Sequence, residues 1–497
     1  NVAIGYAALD AEDTGSRAVA VGSNALTTQN KDGNTYNVAV GYNAGTAVTT
    51  GIRNNFFGAE AGEALTEGTD NIAIGYQTLT ADTLGSRSVA IGNNALDAQN
   101  FTTATSAYNV AVGQAAGGAI TTGTLNTLIG GLAGDALTSG NNNTAVGYLA
   151  LSADTLGDRN TAIGNSALAA QNFTTTTDSY NTAVGFTAGA SITTGVSNTL
   201  IGGLAGDALT DADFNVAIGV VALSTDTKGS KSIAIGHNTL NSQNFTTSTD
   251  THNIAIGFQA GTGITTGVRN VLIGGLAGDA LTDADKNVAV GYSALTADTL
   301  GSRSVAIGHD ALQAQNFTTA TDSLNTAVGD SAGLSVTTGV NNTFLGARAG
   351  DAFTDADRNT ALGRSALTTD TLGSRSVAVG YGVLQNQNFT TATNTYNVAV
   401  GYDAGASVTT GVQNTFLGAL AGDAITDADG NVALGYLALT SNTVGSNSVA
   451  VGGAALQVQN PATATDMYNV AVGHQAGKSV TTSVQSTLIG ALSGDAI

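Results

Sequence analysis

The chain of 497 residues has no cysteine and no tryptophan, and a single proline and a single methionine. Without cysteine there is no disulfide, no thiolate nucleophile and no zinc–thiolate site, whatever the compartment. No apolar run approaches the roughly 18 residues that a bilayer span requires, and no secretory leader is visible. Charge is sparse, at 10% of residues, and lopsided, with 36 acids against 15 bases for a net charge of −21. Such a surface repels phosphate backbones, so nucleic acid is not an expected partner. What the chain does have is glycine, 66 copies of it, set among small and β-branched side chains.

Comparing the chain with itself is the first step for such a composition. Asn1-Val2-Ala3-Ile4-Gly5 returns as Asn37-Val38-Ala39-Val40-Gly41, Asn71-Ile72-Ala73-Ile74-Gly75 and Asn109-Val110-Ala111-Val112-Gly113. Copies and close variants number 28, the last beginning at Ser486. Their starts are spaced 17, 17, 17 and 21 residues apart, so a 72-residue super-repeat runs through Asn71, Asn143, Asn215, Asn287, Asn359 and Asn431. A 19-residue unit from Ala18 is the one deviation. No composition shift or linker interrupts the pattern. Residues 1–497 are therefore expected to form one repeat region, and a chain that opens inside the motif without Met reads as a segment of a longer array.

Each unit predicts a short strand. Val, Ala and Ile alternate with period two and are closed by Gly, while Gly, Thr and Asn disfavour helix. Three places after the Gly, Ala stands in 24 of 28 units, which implies a tightly packed position. The Gly itself implies a corner with positive φ or a close backbone approach. Stacking each unit on its predecessor at about 4.8 Å places the leading Asn or Ser in a ladder of side-chain hydrogen bonds. The expected fold is all-β: a β-solenoid of 28 rungs, roughly 130 Å long at that spacing. Val2 and Ile4 point to one side of the strand and Ala3 to the other. An Ala-lined face is costly to leave wet, so burial against further copies of the chain is expected, with three chains about an axis as the preferred arrangement.

Ser88-Val89-Ala90-Ile91-Gly92, Ser232-Ile233-Ala234-Ile235-Gly236 and Ser304-Val305-Ala306-Ile307-Gly308, each followed by a small residue three places on, resemble the head repeats of trimeric autotransporter adhesins. The same repeat occurs in bacteriophage tail fibres. The resemblance implies a homotrimeric, left-handed parallel β-roll, extracellular at a cell surface, that attaches to a host-surface or matrix ligand. The rungs here are longer than the usual adhesin head rung, and no neck, stalk or anchor pattern is present in these residues. A virion fibre shaft and a purely structural extracellular filament are the alternatives.

Candidate chemistry is thin. His237, His309 and His474 follow the strand Gly where Tyr6, Tyr76, Tyr292 and Tyr402 stand in other units, the mark of a solvated corner rather than a catalytic base. No Ser or Asp recurs beside them at triad spacing, and an enzyme is not expected. Ile129-Gly130-Gly131-Leu132-Ala133-Gly134 lacks the Lys-Ser/Thr of a phosphate loop. The acidic turns are more suggestive. Asp207, Asp211 and Asp213 recur as Asp279, Asp283 and Asp285 and as Asp351, Asp355 and Asp357. Clustered carboxylates suit a hard cation such as Ca²⁺; a solvated turn that keeps the surface soluble is the competing reading. No other cofactor is expected. Arg303 after Asp285, Lys231 after Asp213 and Arg375 after Asp357 each stand one rung plus one position on, which predicts ladder ion pairs. The four-residue extension carries Phe101, Phe173, Phe245, Phe317 and Phe389, each preceded by Asn. Recurring about every 19 Å, these are either repeated weak contacts to a receptor or lateral neighbour, or rings folded back onto the rung. Asn-Phe-Thr is also a glycosylation sequon, which matters only in a eukaryotic secretory path. Paired Thr such as Thr121-Thr122 recurs once per four units, too seldom for an ice-binding face.

Overall fold

The computed structural model describes residues 1–494, and among them every regular element is a β-strand. The chain divides into two units, Asn1–His252 and Asn253–Ile497. In the first, fourteen three-residue strands run from Val2–Ile4 to Ile233–Ile235; the second holds fourteen more, from Ile254–Ile256 to Thr487–Ile489. Within each unit every such strand pairs in parallel with the next. Val38 faces Asn55, Asn55 faces Ile72, Ile72 faces Val89 and Val89 faces Val110. Val288, Val305 and Thr326 continue the pattern in the second unit. Each unit is a parallel β-solenoid, as the repeat predicts. Two-residue strands pair beside the extensions, Gly85–Ser86 with Thr105–Ser106 for example.

The strands are short because glycine ends them. Gly58 has φ +139°, and a Cβ there would lie 2.2 Å from the Gly75 carbonyl oxygen. Gly308 has φ +141° and meets the Gly329 carbonyl at the same distance. A column of backbones this close admits no side chain at all. Three further corners of the rung are also left-handed, and in many rungs without glycine: Ser293, Leu295 and Arg303 have φ of 53°, 55° and 63°. A leucine held there costs about 1–2 kcal/mol, and full burial of Leu295 offsets it with about 1.5–3 kcal/mol of apolar transfer.

The interior is filled by volumes that alternate along the stack. Leu272, Ala289, Ala306, Ala327 and Phe344 succeed one another at the centre of neighbouring strands, all fully buried. Where the strand centre is Ala306, the corner opposite carries Leu312; where it is Phe344, the corners carry Gly333 and Gly350, whose Cβ atoms would come within 2.8 Å and 2.5 Å of the ring. Phe56 against Gly45 and Gly62, and Phe416 against Gly405 and Gly422, repeat the exchange. One large residue and two glycines replace the Ala–Leu combination, so the summed volume stays near native packing density. The Ala three places after the strand Gly, such as Ala44 and Ala311, is fully buried as expected.

One expectation reverses. The strand Ala does not form a second outer face; it points into the core, and the flanking Val, Ile and Leu point outward. Ile307 is 37% exposed and Leu345 45% exposed, against 0% for Ala306 and Phe344 between them. A thin coil has room inside for one side chain per strand, and the odd position takes it.

The leading asparagines are buried and form the ladder, chiefly through backbone groups, with amide-to-amide bonds such as Asn160 Nδ2 to Asn143 Oδ1 at 3.1 Å beside them. Asn54 donates its N–H to Asn37 Oδ1 at 2.9 Å, and Asn37 Nδ2 donates to the Gly51 carbonyl at 2.8 Å. Each amide thereby ties its own rung shut and fixes the next one.

Candidate functional site

Three features of the repeat could act outside the coil: the acidic turns, the extensions and the outward sheet face. In the acidic turns the last Asp is part of the ladder. Asp285 Oδ1 accepts the Val268 N–H at 2.8 Å, while the Asp285 N–H donates to Ser302 Oγ at 2.9 Å. Asp213 and Asp357 do the same with Val196 and Ser230, and with Val340 and Ser374. The middle Asp looks elsewhere: Asp283 and Asp355 accept from Thr266 and Thr338 at 2.7 Å and 2.6 Å, and Asp211 lies 3.7 Å from Lys228 Nζ. The first is half-buried. Asp279 accepts from Thr296 Oγ1, Asp351 from Thr368 Oγ1, and Asp207 Oδ1 finds no partner in the chain. Burial pushes the carboxyls of Asp207 and Asp351 above the ordinary carboxylate range.

These three carboxylates therefore diverge instead of converging. Among the described residues no group of three His, Asp or Glu side chains is placed to hold a metal ion. The residues of the calcium reading, Asp207, Asp211 and Asp213, Asp279, Asp283 and Asp285, and Asp351, Asp355 and Asp357, are thus not gathered by the chain into one set of ligands. Stacking turns their side chains toward partners in adjacent rungs, and proximity in sequence is lost.

The ladder ion pairs are corrected. Arg303, Lys231 and Arg375 do adjoin Asp285, Asp213 and Asp357, but through backbone hydrogen bonds. Their side chains reach the following rung: Arg303 to Asp322 at 2.8 Å, Lys231 to Asp250 at 2.5 Å, and Arg375 to the Tyr396 hydroxyl at 2.6 Å.

In the extensions Phe101, Phe173, Phe245, Phe317 and Phe389 are buried, between 5% and 7% exposed. Of the two readings of these rings, as receptor or lateral contacts or as folded back, the chain shows the fold-back, and Phe317 and Phe173 cover the gaps left by Gly301 and Gly157. Threonines such as Thr102 and Thr103 are what the extension exposes.

Beneath each ring lies a group the sequence reading missed. Asp82, Asp154, Asp226, Asp298 and Asp370 are fully buried. Asp298 Oδ1 accepts the N–H groups of Gly301 and Phe317 at 3.0 Å and 3.1 Å, and its Oδ2 accepts Gln315 Nε2 at 2.6 Å. Gln315 also donates to Ser304 Oγ at 2.8 Å and accepts from Asn325 Nδ2 at 2.9 Å, which carries the asparagine ladder across the longer rung. Burial raises the carboxyls of Asp82, Asp154, Asp298 and Asp370 above the ordinary range, outweighing hydrogen bonds that pull them down. A signal was present. Asp154 and Gln171 interrupt a register that holds Ile120 and Leu137 in the two preceding rungs, and polar residues adjacent in a buried apolar column must satisfy each other.

The outward sheet face is the largest feature. Its two columns, represented by Val288, Val305 and Thr326 and by Val290, Ile307 and Val328, contain no charged residue in either unit. On one margin, at the position before the ladder residue, stand ten of the 15 cations of the chain: Arg17, Arg53, Arg87, Arg159 and Lys231, then Arg269, Lys286, Arg303, Arg358 and Arg375. On the other margin, after the strand Gly, stand exposed rings such as Phe258, Tyr292, Tyr402 and Tyr436. Tyr292 stacks on His309, and Tyr381 on Tyr402, each at 5.7 Å between centroids. His309, exposed and 3.0 Å from Asp310, is one of these solvated corners.

No family model and no curated protein matches the chain.

Proposed function

We propose that this chain is the repetitive shaft or head of an extracellular attachment fibre, without catalytic activity, in which three copies associate in parallel as a left-handed β-roll and act by display and adhesion at a cell surface. The observation that carries the reading is the sheet face: in each unit of a chain of net charge −21 it presents two charge-free columns, one of Val, Ile, Leu and Phe throughout and one of Val and Ile interspersed with Thr and, once, Asn55. Contiguous apolar surface of that extent marks an interaction site. Repetition favours a second copy of the chain as the occupant, because only a partner with the same axial repeat can follow every rung.

The margins support parallel packing. When copies run in the same direction about a common axis, the cation margin of one meets the aromatic margin of the next, and Arg over Tyr is an attractive contact. Along the cation margin itself the Arg87 and Arg375 guanidiniums lie 5.3 Å and 5.6 Å from the ring centroids of Tyr108 and Tyr396, the same kind of contact made within one chain. Sedimentation equilibrium and native mass measurement test the assembly. The expected result is three chains, reduced to one folded chain by Ile307→Lys together with Val290→Lys; a monomeric wild type overturns it. Adhesion is tested separately, by binding of the purified assembly to cells and glycan surfaces, and uniform absence of binding leaves a filament without a receptor.

A further inference from the structure

Five extensions are anchored by a buried carboxylate, Asp82, Asp154, Asp226, Asp298 or Asp370. The groups that touch Asp298 are the N–H of Gly301, the N–H of Phe317 and the amide of Gln315, packed under the Phe317 ring. None is charged, and no ionic partner acts on Asp82, Asp154 or Asp370 either. All the donors are N–H groups, and none of them offers an acceptor to an acid proton.

The last extension shows the neutral counterpart. Asn442 stands where five other cycles carry Asp, and Pro461, which has no N–H to offer, stands where those five carry Phe. Asn442 Oδ1 still accepts the Gly445 N–H at 2.9 Å, but its Nδ2 donates to the Gly445 carbonyl at 2.6 Å. Gln459 keeps Ser448 and Asn469, at 3.0 Å and 2.9 Å, and makes no bond to residue 442. Charge and donor number vary together.

We propose that the buried Asp–Gln contact is a proton-responsive clasp on each extension: protonation moves the Asp from the glutamine to the carbonyl of its own turn, and frees one anchor of the loop. At Asp298 the acid proton would sit on Oδ2, where Gln315 Nε2 now donates, and two donors cannot face each other. A flip of the Gln315 amide does not resolve the conflict, because it would set Nε2 against Asn325 Nδ2. The acceptor in reach is the Gly301 carbonyl, the counterpart of the one Asn442 uses, which already accepts from Asn287 Nδ2 at 2.9 Å. The Phe317 N–H stays on Oδ1. Acid therefore loosens residues 318–322, the two-residue strand Thr321–Asp322 included, while the three-residue strands Val305–Ile307 and Thr326–Val328 keep their bonds.

Hydrogen exchange on the intact protein tests this at fixed pH. In wild type at neutral pH, amides of 462–466 should already exchange faster than those of 318–322. Asp298→Asn should raise exchange in 318–322 by on the order of tenfold and leave the other extensions unchanged. Wild type in mild acid, corrected for intrinsic rates, should show the same rise in every Asp-bearing extension and none in 462–466. Equal exchange of 318–322 and 462–466 at neutral pH, or no response to either Asp298→Asn or acid, overturns the clasp.

Discussion

Asn342 Oδ1 accepts the backbone N–H of Asn359 at 2.9 Å, and Asn342 Nδ2 donates to the Ala356 carbonyl at 2.7 Å. One buried amide thus serves two rungs, and neither backbone group has water as an alternative. Asn342→Ala should destabilise the second unit by about 1–3 kcal/mol for each group left unpaired. Asn342→Asp keeps the acceptor and loses the donor, and should fall between the two. Thermal unfolding followed by circular dichroism measures the order; equal melting of all three proteins would mean the ladder contributes nothing.

Phe344 and Gly350 exchange volume, since a Cβ on Gly350 would come within 2.5 Å of the ring. Phe344→Ala should cost about 3–5 kcal/mol through the cavity it opens. Gly350→Leu alone should be excluded by the ring, although φ at Gly350 is +59°, close to the +49° of Leu312 at the same corner elsewhere. The double variant restores the Ala–Leu combination of neighbouring rungs and should recover much of the loss. A double-mutant cycle with no favourable coupling would refute the volume exchange.

Ala306 lies between Ala289 and Ala327, buried and without facing glycines. Ala306→Phe should therefore destabilise by about 1–3 kcal/mol, where Phe344 in the same column is native. An unchanged melting temperature would show that the core is looser than its burial implies.

Acidity should act on the whole coil as well as on the loops. The carboxyls of Asp82, Asp154, Asp298 and Asp370 are raised by burial. A folded-state pKa above the unfolded value means that the native chain binds more protons in that window, so stability should rise as pH falls through the folded pKa. Release of the buried charge strengthens the coil even as the loop loses an anchor. Exposed Asp70, lowered chiefly by its hydrogen bond with Arg53, acts in the opposite sense at more acidic pH and is weakened by solvent screening. Melting temperatures from pH 7 downward should climb before they fall, with a smaller climb in Asp298→Asn; a monotonic fall in both would contradict the sign.

The repeat made much of this molecule legible in advance. A Gly closing every Val-Ala-Ile alternation predicts a short strand and a corner, and Asn at a fixed place predicts a ladder, because stacking returns each residue type to its own kind. The alternation of Phe344 with Gly350, and the Asp298–Gln315 contact, were written in the same columns and became intelligible only when rungs were aligned by backbone pairing. Other outcomes needed the third dimension. Period two says that Ala306 and Ile307 face opposite ways, but which of them is inside depends on how tightly the coil closes. Whether Asp279, Asp283 and Asp285 meet depends on the direction in which each side chain leaves a stacked turn, and whether Phe317 protrudes depends on the hollow left by Gly301. Sequence fixes what recurs along the chain; inside and outside are properties of a closed turn, and only the folded coil has them.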